Sequence, residues 1–260
     1  MVSDMQRVAA RVHRDGALAS GAELELGEDQ THHLRHVLRL QPGETVGVFN
    51  AGDGEFAATI LAYGKRAARL AIGRRLRAPG TEPDLWLCFA PIKRARLDAM
   101  VEKATELGVS RLVPVFTRHT AMERVTVERL AAIATGAAEQ CERLSVPEVA
   151  APVDLEALLA SWPADRTLVV GDESGGGVPV AAALAGLAGP LAVLTGPEGG
   201  FARSELDALG RAVFVRRVGL GPRILRADTA AIAALAVIQA IVGDGALAPR
   251  FAARDDAAPG

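Results

Sequence analysis

The chain has 260 residues, half of them hydrophobic, which is enough for one large domain or two ordinary ones with a real core. No apolar run approaches the roughly 18 residues of a bilayer span, and residues 1–16 carry charge throughout without an apolar centre, so neither a membrane protein nor a secretory signal is read. A net charge of −2 gives no global basic signature for nucleic acid, and the two cysteines, Cys88 and Cys141, lack disulfide or zinc spacing, which points to the cytoplasm.

The first 77 residues read as strands. Glu23–Leu26 alternates with period two, and Thr45–Asn50 leads into the turn Ala51-Gly-Asp-Gly54. Phe56–Leu61 and Arg69–Ile72 continue the pattern, and a helical segment over residues 28–38 interrupts it. Short strands separated by glycine turns predict a small β-barrel over residues 1–77. Residues 78–84 are rich in Pro and Gly and read as a linker. From residue 85 to 244 strand and helix alternate, the mark of an α/β domain with a parallel sheet. Strands are expected over residues 85–90, 112–116, 168–170, 191–194 and 213–218. Helices are expected over 94–107, 127–143, 155–162, 180–187 and 229–242, the first stopped by Gly108. The alanine- and proline-rich residues 245–260 read as a disordered tail.

Charge is concentrated locally. Between residues 63 and 80 stand six cations (Lys65, Arg66, Arg69, Arg74, Arg75, Arg77) and no acid, a candidate track for phosphates. Two strand-to-helix corners carry the chemistry: Leu194-Thr-Gly-Pro-Glu-Gly-Gly-Phe201 and Gly219-Leu-Gly-Pro-Arg-Ile-Leu-Arg-Ala-Asp-Thr-Ala230. Glycine at such corners lets backbone amides approach a ligand closely. The spelling is neither a dinucleotide fingerprint nor a phosphate-binding loop. Two corners about twenty residues apart suggest one ligand held between neighbouring loops.

The pair of corners resembles the signatures of the RsmE family, bacterial methyltransferases of the SPOUT (trefoil-knotted) class that methylate N3 of one uridine in small-subunit ribosomal RNA. The segments His33–Arg39 with Pro42-Gly-Glu44, Lys93 with Arg96, Val101–Val109 with Pro114, and Glu139–Arg143 with Pro147 are similar to its other motifs and follow in the same order. The resemblance implies a PUA-like RNA-binding barrel, a knotted α/β domain, S-adenosylmethionine as cofactor, and a homodimer. The substrate it implies is 16S rRNA, naked or in the assembled small subunit. By resemblance, Val170, Gly171, Thr195, Gly196, Glu198, Gly199, Gly200, Leu220, Gly221, Ile224, Leu225 and Thr229 surround the cofactor, although Ile224 and Leu225 read equally as core.

Uracil N3 bears a proton, so its methylation needs a group that stabilises the developing anion. Arg226 matches the family's arginine and is the first candidate, with Arg223 the second. Glu198 reads as a general base or as a group that orders its own loop. Arg35, Arg39, Arg69, Arg74, Arg75 and Arg143 are the expected RNA contacts, Arg143 being equally placed for the partner subunit. His32, His33 and His36 suit RNA contact better than metal ligation, and Cys141 reads as a free thiol rather than a covalent nucleophile. Asp228 stands where the family has glutamate and is expected to cap the last helix; His119 stands where an arginine is common. Rival readings are a methyltransferase of ribose 2′-oxygen or another base, and a non-catalytic RNA-binding assembly factor.

Overall fold

A computed structural model of the protein describes residues 8–172 and 175–247. The expected tail therefore lies outside the described residues from 248 onward, as do residues 1–7. Residues 245–247 are not loose: Gly245 N donates to Gln239 O at 3.0 Å, and Leu247 N to Asp244 O at 2.8 Å.

The N-terminal part is a curled five-stranded sheet of order β1-β3-β4-β5-β2, formed by β1 (Arg11–His13), β2 (Glu23–Leu26), β3 (Thr45–Asn50), β4 (Gly54–Tyr63) and β5 (Ala68–Arg77). β1 pairs parallel with β3, and the other pairings are antiparallel. Alternation drives Val46, Val48, Phe56, Ala58, Ile60, Ala68, Leu70 and Ile72 into one core. β4 and β5 each run ten residues, further than the sequence pattern reached. Register shifts along their pairing break the simple alternation that would have revealed them. The helical segment is α1 (Glu28–His32) continued by a π-helical turn, His33–Val37. Leu34 anchors this turn in the core, and Arg39 leaves it with φ 58°.

Residues 78–84 carry no strand or helix. Beyond them follow β6 (Leu85–Phe89), α2 (Arg94–Glu106), β7 (Arg111–Phe116), α3 (Val127–Gln140), β8 (Glu148–Val149), β9 (Val153–Asp154), α4 (Leu155–Ala160), β10 (Thr167–Gly171), β11 (Val178–Pro179), α5 (Val180–Leu184), β12 (Leu191–Thr195), α6 (Arg203–Arg211), β13 (Val215–Gly219) and α7 (Ala227–Val242). The strands form a parallel sheet of order β11-β13-β10-β12-β6-β7-β8, with β9 paired to β7. Helices cover both faces, which is why β10 and β12 read as continuous apolar runs. On one face Leu85, Leu87, Phe89, Val169 and Val193 pack with α2, α3, α5 and α7; on the other Cys88, Val113, Leu168, Val170 and Leu194 pack with α4 and α6.

Several boundaries differ from expectation, among them the ends of α4 and α5, which stop at Ala160 and Leu184, and two have a visible cause. α3 stops at Gln140 because Glu142 adopts φ 64°, which a right-handed helix cannot continue. The strand expected from Val213 starts at Val215, and Val213 is 89% exposed in the turn before it.

Candidate functional site

The carboxyl ends of β10, β12 and β13, three neighbouring parallel strands, open into one cavity of about 820 Å³. Ligands of open α/β sheets bind at this edge, where loops leave the strand ends. The first corner contributes Thr195, Gly196, Pro197, Glu198, Gly200 and Phe201, and the second contributes Gly219 through Ala227, with Ala230. The space is kept by close packing: a Cβ on Gly196 would lie 2.9 Å from the Phe201 ring.

Sequence reasoning reached only the start of a third corner at the end of β10, where Gly171, Asp172, Gly175, Gly177 and Pro179 line the same cavity, and missed the glycines that complete it. Its signal was present as the Gly175-Gly-Gly177 run after an apolar strand. Gly177 is required by a backbone approach, since a Cβ there would meet Val218 C at 2.5 Å. Asp172 is braced from β13 by Arg217, whose Nη2 donates to Asp172 Oδ2 at 2.6 Å, with the Asp172 side chain 1% exposed. Lys93, at the start of α2, was also missed as a lining residue.

Of the expected cofactor residues, Gly171, Thr195, Gly196, Glu198, Gly200, Leu220, Gly221, Ile224 and Leu225 line the cavity. The other three do not line it. Val170 is buried behind the lining in the sheet core. Thr229 is exposed on α7 and does not line the cavity. Gly199 faces outward, where a Cβ would meet His119 Cβ at 3.4 Å. His119 instead closes the outer side of that loop, with Nδ1 and Gly200 O 3.0 Å apart. Ile224 is 89% exposed on the cavity lining, so its alternative reading as core is overturned.

Arg223 and Arg226 both line the cavity, and among the described residues neither guanidinium has a hydrogen-bond or ion-pair partner. Arg226 occupies the N-cap position of α7 in an extended conformation. Glu198 Oε1 lies 3.7 Å from Arg96 Nη1 on α2, so the carboxylate faces a cation of its own chain. Thr195 is 3% exposed, and its Oγ1 is a buried polar atom without a partner. Asp228 does not cap α7 as expected; that helix has no side-chain cap, and Asp228 Oδ1 is buried unpartnered.

The expected RNA contacts divide. Arg35, Arg39, Arg69, Arg74 and Arg75 are exposed on the N-terminal sheet and its π-helical turn, Arg35 lying over the Tyr63 ring at 5.6 Å and Arg75 over Phe56 at 5.2 Å. Arg143 is a correction. Its side chain is 8% exposed, Nη1 donates to Thr105 O at 2.7 Å and to Val109 O at 3.0 Å, and Nη2 pairs with Glu82 and donates to Ser145 Oγ at 2.7 Å. These bonds leave little of its guanidinium for RNA. His32 and His36 are exposed with ring centroids 5.0 Å apart, and no group of three metal-ligating side chains occurs among the described residues. Neither cysteine lines the cavity, and burial pushes the Cys88 thiol up to about 12, which keeps it protonated and unreactive.

A family model described as an RNA methyltransferase domain matches residues 80–239, and one described as an RNA methyltransferase PUA domain matches residues 26–72. The ribosomal RNA small subunit methyltransferase E of Rickettsia conorii is 31% identical over 235 residues, covering 88% of this chain and 94% of that protein. Its namesake from Synechocystis is 32% identical over 228 residues, covering 85% and 74%. Among solved structures, a methyltransferase from Legionella pneumophila in complex with SAM superposes with a TM-score of 0.81 at 29% identity, covering 92% of this chain and 99% of that one. The ribosomal RNA small subunit methyltransferase E of Neisseria gonorrhoeae, bound to S-adenosylmethionine, gives 0.80 at 26% identity, covering 90% and 98%. A PUA-like sheet followed by a parallel α/β domain, with three strand-end corners around one cavity, agrees with every one of these matches: the chain belongs to the ribosomal RNA small subunit methyltransferase E family.

Proposed function

We propose that this protein transfers a methyl group from S-adenosylmethionine to N3 of a uridine in 16S rRNA of the small ribosomal subunit. The observation that carries the reading is the cavity itself, where unpartnered Arg223 and Arg226 stand beside backbone-lined glycine corners. Its volume of about 820 Å³ falls within the roughly 300–1,000 Å³ of small-molecule sites. The residues fit the cofactor. Thr195 Oγ1 is a buried donor awaiting an acceptor, and Gly171, Gly196 and Leu220 offer backbone groups that can read an adenine edge and a ribose. Bound there, the cofactor supplies an activated methyl carbon.

The chain then has two tasks, alignment and charge stabilisation. Arg226, free of internal partners, stabilises the uracil anion as N3 loses its proton, and Arg223 holds an adjoining phosphate. Glu198, facing Arg96, orders its loop rather than taking the proton. Arg35, Arg39, Arg69, Arg74 and Arg75 carry the RNA backbone on the N-terminal domain.

The domain division follows at residues 1–77, 78–84 and 85–244. The α/β domain carries the trefoil knot of its class: β13 enters between β10 and β11, both earlier in the chain, and α7 then packs on α2 and α5. The working form is a cytoplasmic homodimer joined through α7, which leaves Ala236, Ala240 and Ile241 exposed on its outer face. Sedimentation at micromolar concentration should give the mass of two chains, and a monomer would refute that assembly. Among the described residues no helix is long and apolar enough to cross a membrane.

The test is transfer of labelled methyl from S-adenosylmethionine to purified small subunits and to naked 16S rRNA, followed by nucleoside analysis. N3-methyluridine is the expected product. A ribose-methylated or other product, or cofactor binding without transfer, would replace the reading with one of its rivals.

A further inference from the structure

The N-terminal domain is joined to the methyltransferase domain by a buried ion cluster that the cofactor cavity does not use and that takes Arg77 out of the candidate phosphate track. Glu55 on β4 is 0% exposed, and each of its carboxylate oxygens accepts from a different arginine: Arg11 Nε at 2.9 Å and Arg77 Nε at 2.8 Å. Further N–H groups of both arginines cross the junction. Arg11 Nη1 donates to Ala138 O at 3.2 Å and Glu139 O at 3.3 Å, Arg11 Nη2 to Arg143 O at 3.1 Å, and Arg77 Nη2 to Glu142 O at 2.6 Å. Thus two planar forks, held rigidly by one carboxylate, grip the backbone of the last turn of α3 and of the residues just after it. Gly47 makes room for the cluster, since a Cβ there would lie 2.5 Å from Glu55 Oε1.

The gripped segment leads to the cavity. Arg143, whose carbonyl Arg11 holds, itself donates to Thr105 O in the last turn of α2 and to Val109 O just past it. The other end of α2 begins beside Lys93 on the cavity lining and carries Arg96 against Glu198. Helix α2 is a single rigid element of 13 residues, so the seat of the N-terminal domain and the cavity share one strut.

We infer that Arg11, Glu55 and Arg77 are positioning residues for the methyl transfer, fixing the angle at which the N-terminal domain presents RNA to the cavity. The inference rests on the functional reading above. Burying a carboxylate among cations contributes little net stability compared with an apolar contact of equal size, but it fixes direction, because every bond in the cluster is angular. Loss of the cluster leaves the RNA track and the cofactor corners each intact and loosens only their mutual registration. Its mark is therefore a fall in turnover without a fall in either binding affinity.

The experiment compares the full-length parent with Arg77→Gln and Glu55→Gln. Arg77 is the milder site, its side chain being 24% exposed at the rim of the cluster and outside the hydrophobic cores. Turnover is counted per cofactor-binding site, so that any unfolded fraction drops out. The expected result is a tenfold or greater loss of kcat on small subunits, with the cofactor Kd within twofold and the RNA Kd within threefold of the parent. Amide exchange in residues 11–13 and 141–143 should rise while β10 and β12 stay protected. An active parent whose variants keep parental kcat, or lose activity wholly through KM, overturns the positioning role and leaves the cluster a plain structural contact. An inactive parent would instead sink the functional reading itself.

Discussion

A substitution at Gly171 tests the cavity more cleanly than one at the more conspicuous glycines. Gly171 ends β10 and lines the cavity, its φ lies outside the left-handed region, and a Cβ added there meets no atom within 4 Å. Valine at that position suits a strand and costs the empty protein little. The branched side chain does, however, enter space that the cofactor would fill. Forcing extra carbons into a filled site costs about 1–3 kcal/mol, or roughly 5- to 150-fold in Kd. We therefore expect Gly171→Val to weaken S-adenosylmethionine binding by roughly 10- to 100-fold, with the unfolding midpoint close to that of the parent. Gly199→Val is the internal control. Its side chain would press on His119, already 3.4 Å from the Cβ position, so it should cost about 1 kcal/mol of stability and leave cofactor affinity nearly unchanged. Isothermal calorimetry with the cofactor, paired with urea unfolding, measures both quantities. If Gly171→Val binds the cofactor as the parent does while Gly199→Val does not, the cofactor lies on the outer side of the loop that follows β12 and the assigned cavity is wrong.

The other expectations are more local. Arg226→Ala should lower turnover about 100-fold, the scale on which a preorganised charge-stabilising group acts, without changing cofactor affinity, and should recover activity as pH rises because the uracil then ionises unaided; normal turnover at saturating RNA would make Arg226 a phosphate contact. Neutralising Arg69, Arg74 and Arg75 together should flatten the salt dependence of RNA affinity by about 2 log units per log unit of salt if each meets a phosphate, and an unchanged slope would assign them to a solvated face. Burial raises the Glu139 carboxyl above its usual 4.5, and the backbone bond from His13 and the nearby His33 and Arg11 lower it less. A raised folded-state value means that the native protein binds the extra proton, so this group's favourable contribution is full below pH 4.5 and is lost as pH rises through the raised value. Glu139→Gln, which can still accept from His13 N, should therefore gain stability relative to the parent more at pH 8 than at pH 5 in urea titrations, and an equal effect at both would show that the carboxyl is not held in its neutral form.

The two C-terminal corners were legible because each spells its function in consecutive residues: an apolar strand, then glycines at the bend. The third corner was half read, since Gly171 follows an apolar strand, but the glycines that complete it stand several residues on, beyond an acidic residue. Which side of a loop a residue faces was not legible. Gly199 and Gly200 are neighbours, yet only Gly200 reaches the cavity, because successive residues of an irregular loop carry no fixed period. The fate of Arg143 was hidden for a different reason. Its partners Thr105 and Val109 lie 38 and 34 residues away, and its carbonyl is held by Arg11 at a separation of 132, so only the tertiary fold distinguishes a buried strut from an exposed RNA contact. The Arg11–Glu55–Arg77 cluster was invisible on the same grounds, and the register shifts in β4 and β5 further masked which face Glu55 takes. Where periodicity was clean, as along α2 with Leu97, Met100, Val101 and Ala104, sequence and structure agree to within a residue.

The central claim is that this protein methylates N3 of a uridine in 16S rRNA, and it is tested most directly by quantitative mass spectrometry of nucleosides and mapped fragments of 16S rRNA from cells with and without the gene. The account predicts that one N3-methyluridine disappears on deletion, returns with the intact gene, and does not return with Arg226→Ala expressed at the same level. Retention of every N3-methyluridine in the deletion strain, or loss of a ribose methylation in its place, would contradict it.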